Sequence, residues 1–152
     1  MRLVILETPY SAESELGLAL NRALARFALV DCLLRGESPI ASHLLLTQIL
    51  DDKIPNERDL GIRAGLAWMR RADAVVSYGA ITNGVTKSIE LSRKLEIPFE
   101  RRVFLPRLQP SWEAEQLTIR NTFREREKRC VPIESEWPMH RGSALRAVLE
   151  DG

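Results

Sequence analysis

The sequence predicts an α/β fold in which helices cover a parallel β-sheet. The segment 72–79 contains a run of apolar residues typical of a short, fully buried strand, and a polar loop that opens a helix follows it directly. Short apolar segments alternate with segments of helical periodicity along residues 3–103, in the order β-α-β-α-α-β-α-β. Strands separated by helices pair in parallel, because the chain crosses back before the next strand begins.

The first strand and helix follow from apolar spacing near the N-terminus. Residues 3–6 form a short apolar run that ends before Pro9, which lacks the amide hydrogen that a central ladder needs. A long helix is predicted over residues 12–34, with Ser11 as its N-cap and Gly36 after its end. Its buried stripe is predicted from apolar residues at steps of three and four: Leu16, Leu20, Leu24, Phe27 and Val30.

Two helices are predicted before the central strand. A short strand and turn after Gly36 precede a helix over residues 44–51, for which Ser42 is the predicted N-cap. The next helix is predicted to begin at Asn56, which caps it. Because glycine is unfavourable inside a helix, two glycines one turn apart indicate close packing on the sheet, a partner helix or a nearby ligand: Gly61 and Gly65.

The character of the chain changes after residue 104. A helix over residues 84–95 and a strand over 97–103 complete an α/β domain at residues 1–104. Residues 105–152 are predicted to form a helical C-terminal extension that packs on the domain or on an oligomer partner, because it is too polar to form a core alone. Its main helix is predicted over 112–128, with Ser111 as N-cap, and a short last helix over 143–150.

Composition restricts the class of protein. The chain has 152 residues, 45% apolar and 28% charged, with a net charge of +1, so no global field favours nucleic acid or a membrane surface. The apolar runs are shorter than the ~20 residues of a membrane span, and no signal peptide is expected. Cys32 and Cys130 lack metal-type spacing, which predicts reduced thiols and a cytoplasmic location.

Several enzyme classes are disfavoured by missing motifs. The sequence has no GxGxxG run after its first strand and no Walker A lysine motif, which argues against dinucleotide oxidoreductases and P-loop proteins. It also lacks the Gly-x-Ser-x-Gly motif of α/β-hydrolases and a cluster of His and Cys. No metal and no cofactor are therefore expected.

Three segments are predicted to meet at the carboxyl edge of the sheet, since parallel strands share that edge. They are residues 8–11, 41–43 and 77–84. A tyrosine ring suits stacking on a base, while hydroxyl groups and a helix N-terminus suit a ribose or a phosphate. The predicted binding residues are Pro9, Tyr10, Ser11, Ser42, His43, Tyr78, Thr82, Asn83 and Gly84.

Structural roles compete with these functional ones. The position of Tyr10 also fits a structural role as a partly buried aromatic residue at the end of a strand. The position of His43 also fits a histidine in a turn that forms a hydrogen bond with the backbone. Ser42 is first a helix N-cap, although a helix N-terminus itself attracts anions. The arginines of residues 120–129 alternate with glutamates, so a solvated face is favoured over a nucleic-acid patch.

Several short motifs, taken in their order and spacing, resemble those of a known group of proteins. They are Pro9-Tyr10-Ser11, the run from Gly36 to Leu45, Glu57-Arg58 with Gly61 and Gly65, Ile81-Thr82-x-Gly84 with Ile89-Glu90, and Ile97-Pro98-x-Glu100-x-Arg102. Together they make residues 2–103 similar to the small phage and bacterial proteins grouped with the nucleoside 2-deoxyribosyltransferase-like superfamily.

The resemblance implies a Rossmann-like fold of the flavodoxin type, a nucleoside or nucleotide ligand, and a homo-oligomer. Enzymes of that superfamily cleave an N-glycosidic bond with a glutamate on the helix after the central strand, and Glu90 is the matching residue. Those enzymes usually carry an aspartate in the preceding loop, where this chain has residues 79–81 without one. Their glutamate stands about two residues earlier, at the position that Ser88 occupies in this chain. Two residues correspond to a rotation of ~200° around a helix, so the Glu90 side chain would point in a different direction from theirs.

Two functions are therefore expected as alternatives. The first is cleavage of a nucleoside or nucleotide, or deoxyribosyl transfer, with Glu90 acting at the sugar anomeric carbon. The second is a sensor that binds a nucleotide or an ADP-ribose-like ligand without turnover, which the missing loop aspartate favours. Glu90 is equally compatible with a solvated helix surface, and a structural accessory protein is a third possibility.

Overall fold

A computed structural model describes residues 1–129 of the chain. Within these residues the fold contains four strands and five helices. In chain order the elements are β1 (Arg2–Glu7), α1 (Glu15–Leu34), β2 (Glu37–Ile40), α2 (Ser42–Leu46), α3 (Pro55–Met69), β3 (Ala74–Ser77), α4 (Asn83–Lys94), β4 (Phe99–Arg101) and α5 (Gln109–Arg129).

The four strands form one parallel sheet in the order β2-β1-β3-β4. On one face, Val4, Leu6 and Val76 pack with α1 and with Trp112 of α5. On the other face, Ile5 and Val75 pack with side chains from α3 and α4. The predicted α/β class, a Rossmann-like parallel sheet flanked by helices and followed by a C-terminal helix, is confirmed.

The long first helix packs through part of the predicted stripe, Leu24 and Phe27, together with small residues. Ala23, Ala25 and Ala28 are buried, whereas Val30 is exposed. Small side chains let the helix axis come close to the sheet, and larger neighbours then fill its flanks. The predicted N-cap at Ser11 is wrong, because Ser14 caps α1 by accepting a hydrogen bond from the Gly17 amide.

The two helices between β2 and β3 begin at different residues from those predicted. Ser42 lies inside α2 rather than capping it, and Asn56 is the second residue of α3. Neither helix has a side-chain cap. The two glycines of α3 bring it against α2, because a Cβ at Gly61 would lie 3.2 Å from Leu50 and one at Gly65 would lie 3.1 Å from Ser42.

The segment after β4 returns across the face that carries α1. Phe104 and Trp112 are buried beside Phe27, with ring centroids 5.4 to 6.3 Å apart, and this aromatic group attaches α5 to α1. β4 is shorter than the predicted strand at 97–103. Cys130 and the predicted helix at 143–150 lie outside the described residues.

A buried aspartate joins three parts of the chain. Asp31 accepts hydrogen bonds from the Tyr78 hydroxyl at 2.6 Å, from Arg35 at 2.6 Å and from the Leu105 amide at 2.7 Å. Burial alone would raise the pKa of Asp31, but these hydrogen bonds hold it below its usual range. The carboxylate therefore fixes the end of α1 to β3 and to the chain after β4.

A second charged cluster lies beside it. Arg102 donates to both oxygens of Glu37 at 2.6 and 2.8 Å and to Glu100 at 2.6 Å. The side chains of Arg102 and Glu37 are only 9% and 8% exposed. The Arg102 hydrogen bonds hold the pKa of Glu37 below its usual range, so this ion pair stays charged and connects β2 with β4 across the sheet.

Replacing Arg102 by methionine should destabilise the fold strongly. The change removes the positive partner and leaves Glu37 buried, with only Arg2 at 3.5 Å as a partner. Loss of one member of a buried pair costs about 3–5 kcal/mol in the free energy of unfolding. Urea unfolding followed by circular dichroism measures the change.

The matched control is Arg63→Met. Arg63 pairs with Asp59 on the surface of α3, where both side chains are about two-thirds exposed. Exposed pairs contribute about 0–1 kcal/mol, so this variant should unfold close to the wild type. Equal midpoints for the two variants would contradict the importance assigned to the buried pair.

Candidate functional site

The strand order creates a topological switch point between β1 and β3. From β1 the chain moves outward to β2 on one side, and it then crosses to β3 on the other side. In open α/β sheets the ligand crevice lies outside the carboxyl ends of the strands at such a point, which are here the ends of β1 and β3. Residues 7–10 and 77–79, called the switch-point crevice below, border it together with the start of α4.

Glu7 is the last residue of β1 and is partly buried. It lies opposite Ser77 in the parallel register, so the two side chains project from the same face of the sheet. α4 covers that face, and its Ser88 side chain lies near the Glu7 carboxyl. Burial raises the pKa of Glu7 to about 7, and the Ser88 hydroxyl lowers it by a smaller amount.

Ser77 presents a hydroxyl without a partner at the same place. Its side chain is 1% exposed, and its Oγ atom makes no hydrogen bond within residues 1–129. Buried polar groups are nearly always satisfied by protein, water or ligand, because leaving one unpaired is costly. This hydroxyl beside a carboxyl at a switch point therefore marks a position that a water molecule or a polar ligand atom would satisfy.

A histidine from α2 reaches the loop after β1. His43 Nε2 lies 2.8 Å from the Thr8 hydroxyl, and its Nδ1 is buried and has no hydrogen-bond partner in the described part of the chain. Burial lowers the pKa of His43 to about 4, so its imidazole is neutral at pH 7. The Tyr10 ring meets the His43 ring edge-on, with centroids 6.0 Å apart.

The loop after β1 is fixed by contacts from α1. The Asn21 side chain donates to the carbonyls of Tyr10 and Ser11, both at 3.2 Å. Gly79 has a φ of +80°, and a Cβ there would lie 2.7 Å from Leu24 and 3.4 Å from Pro9. Only glycine fits this close approach, so the backbones after β1 and β3 are held together at the crevice.

α4 begins at the same edge of the sheet. Thr82 is its N-cap and accepts a hydrogen bond from the Val85 amide at 3.4 Å. Asn83 and Gly84 form the exposed first turn, and a Cβ at Gly84 would meet only Thr82 Oγ1, at 3.8 Å. The N-terminal turn of a helix with free amides suits an anion such as a phosphate.

The structure brings part of the predicted set together. Tyr10 and His43 are in contact, Pro9 lies under Gly79, and residues 82–84 open α4. Ser42 faces Gly65 of α3, and Ser11 is exposed.

Two predicted residues lie elsewhere. Tyr78 projects to the opposite face of the sheet, where its ring stacks on Phe104 and its hydroxyl donates to Asp31, so its side chain points away from the crevice. Glu90 is exposed on α4, about 200° around the helix from Ser88. The side of α4 that reaches the crevice therefore carries Ser88.

Four residues of the crevice were absent from the predicted set: Glu7, Thr8, Ser77 and Ser88. A signal for Glu7 is present in the sequence, because a carboxylate directly ends an apolar strand at the edge where ligands bind. The strand register that pairs it with Ser77 is a tertiary feature and has no local signal.

Two further properties follow from residues 1–129. No helix among them combines the length and apolar character needed to cross a bilayer. The same residues contain no group of three or more His, Cys, Asp or Glu side chains arranged to hold a metal ion.

The fold defines an open, doubly wound α/β protein of the 2-1-3-4 strand order. The chain belongs to the family described as Domain of unknown function (DUF7768), whose model matches residues 2–102. No curated protein matches the chain. The match contains β1 to β4 and the switch-point crevice, while α5 lies beyond it. Because the family description assigns no activity, the functional argument depends on the residues of the crevice.

Replacing Glu7 by glutamine should stabilise the protein at alkaline pH. The pKa of Glu7 is near 4.5 in the unfolded chain and about 7 in the folded one, so the folded state binds its proton more tightly. The resulting stability is complete below pH 4.5 and is lost as the pH rises through 7. The variant and the wild type should match near pH 5, and the variant should gain up to about 3 kcal/mol near pH 8.5.

Urea unfolding of both proteins across this pH range measures the effect. Glu90→Gln is the matched control, since an exposed helix position should change the free energy of unfolding by less than about 0.5 kcal/mol at either pH. If the difference in the free energy of unfolding between Glu7→Gln and the wild type stays constant from pH 5 to pH 8.5, the Glu7 carboxyl is not desolvated.

Proposed function

We propose that the switch-point crevice binds a nucleoside or nucleotide and that the protein cleaves or transfers its N-glycosidic bond. The observation that carries this proposal is the convergence of a partly buried carboxyl, Glu7, with the unsatisfied hydroxyl of Ser77 at the switch point. The motif resemblance of residues 2–103 to nucleoside 2-deoxyribosyltransferase-like proteins supports the same ligand class.

The crevice offers contacts for each part of a nucleotide. The Tyr10 ring is partly exposed and can stack on a base. The unpaired Ser77 Oγ and His43 Nδ1 can bond to sugar hydroxyls or base atoms. The first turn of α4, at residues 82–84, suits a 5′-phosphate.

Cleavage of an N-glycosidic bond requires a carboxyl group near the anomeric carbon. The sugar develops positive charge as the base departs, and a carboxylate can stabilise that charge or bond to the carbon. The resemblance assigns this role to Glu90. Because Glu90 is exposed and Ser88 occupies the crevice side of α4, the assignment needs a direct test.

Binding without turnover is the second candidate function. The exposure of Glu90 favours it, because a sensor needs the stacking surface and the phosphate site but no carboxylate at the sugar. Such a protein would hold a nucleotide or an ADP-ribose-like ligand in the same crevice.

A panel of nucleosides, 5′-monophosphates and ADP-ribose tests both functions. Thermal shift and calorimetry should detect binding of at least one 5′-monophosphate, and chromatography should detect free base released from it. Binding with no base release would favour the sensor. If no compound binds and no base appears, both functions are excluded.

Tyr10→Leu should weaken binding of that ligand about tenfold, because it removes the stacking surface. Calorimetry with the same 5′-monophosphate measures the change. Phe123→Leu, which alters an aromatic ring on α5, serves as the control and should leave the affinity unchanged. Equal affinities for Tyr10→Leu and the wild type would remove Tyr10 from the site.

A homo-oligomer is proposed on a separate observation. Several large apolar side chains are exposed on α2, the turn after it and α3: Leu45, Ile49, Ile62 and Trp68. Large apolar side chains exposed on neighbouring elements often mark an interface, and a second copy of the chain is the proposed occupant.

Light scattering after size exclusion tests the oligomer. The wild type should elute as a dimer or a larger assembly, and Trp68→Glu should shift it to a monomer by placing a charge in the interface. Leu117→Glu, at an exposed apolar position on α5, should leave the assembly intact. A monomeric wild type would contradict this part of the proposal.

A further inference from the structure

We propose that Glu7, rather than Glu90, is the catalytic carboxyl of the switch-point crevice, donating a proton to the departing base and taking one from the attacking water. This inference rests on the proposed function and assigns its chemistry to a residue that the motif resemblance does not indicate. The carboxyl ends the strand that borders the crevice, whereas Glu90 is exposed on α4.

The surroundings of Glu7 place its carboxyl between the two walls of the crevice. β3 contributes Ser77 from the adjacent register position, and α4 contributes Ser88, whose side chain lies near the carboxyl. The Ser77 hydroxyl is buried and unsatisfied, so a ligand atom or water bound there would lie next to Glu7. A proton can therefore pass between Glu7 and a molecule held at Ser77.

The protonation state of Glu7 suits transfer in both directions. Its pKa of about 7 leaves comparable amounts of acid and carboxylate at neutral pH, which is the optimum for a general acid–base group. Burial is the main cause of this pKa, and the Ser88 hydroxyl opposes it. His43, which reaches the same loop through Thr8, is neutral at this pH and adds no charge.

The reaction balances with water as the only other reactant. The Glu7 carboxyl gives its proton to a ring nitrogen of the base while the bond between that base and the anomeric carbon breaks. The electron pair of the bond leaves with the base. A water molecule then bonds to the anomeric carbon through its oxygen, and its proton returns to the Glu7 carboxylate.

The test uses the full-length protein and the four common deoxynucleoside 5′-monophosphates. Base release is measured by chromatography, and binding is measured by calorimetry with the same compounds. Glu7→Gln should lower kcat by at least about 100-fold, the usual contribution of general acid–base catalysis, while Kd changes by less than about threefold. Glu7→Asp, which keeps a shortened carboxyl, should retain part of the lost rate.

Two comparisons make the result specific. Glu127→Gln, at an exposed position on α5, is the control and should release base at the wild-type rate. Full activity in Glu7→Gln together with loss of activity in Glu90→Gln would overturn the assignment to Glu7 and leave the proposed function standing. A wild type that releases no base from any of the nucleotides would overturn the function and this inference together.

Discussion

Parallel pairing of β1 with β3 sets the position of the groups that border the crevice. The register places Glu7 beside Ser77, and the strand order turns the chain outward in opposite directions on either side of them. A one-residue slip of β3 against β1 would move Ser77 to the other face of the sheet, away from Glu7. The apolar residues Ile5 and Val75, packed against α3 and α4, hold the register because their burial depends on it.

The buried charged network supports the crevice from the opposite face. Side chains alternate along a strand, so the anchoring of Tyr78 on Asp31 leaves the preceding Ser77 directed to the α4 side. Arg102 and Glu37 add a second attachment across the sheet. Gly79 then lets the chain pass close to Leu24 and Pro9. These contacts hold the Ser77 hydroxyl and the Glu7 carboxyl in place.

Local patterns were sufficient for the architecture and for part of the site. The apolar run at Ala74–Ser77, the cap at Thr82 and the alternation of elements predicted β3, α4 and the parallel sheet, since each depends on short-range chemistry. The roles of Ser42, Ser14 and Tyr78 were not predictable in this way, because competing caps and the direction of a buried ring are decided by tertiary packing. Glu7 was missed because its neighbours Ser77 and Ser88 are brought to it only by strand pairing and by α4.

The crystal structure of a complex with a deoxynucleoside 5′-monophosphate tests the central claim most directly. The sugar should lie at the carboxyl ends of β1 and β3, with a Glu7 oxygen within about 3.5 Å of the glycosidic nitrogen or of the water facing the anomeric carbon. The 5′-phosphate should lie at the first turn of α4. A nucleotide bound away from Glu7 and Ser77, or with its anomeric carbon beside Glu90, would contradict the claim.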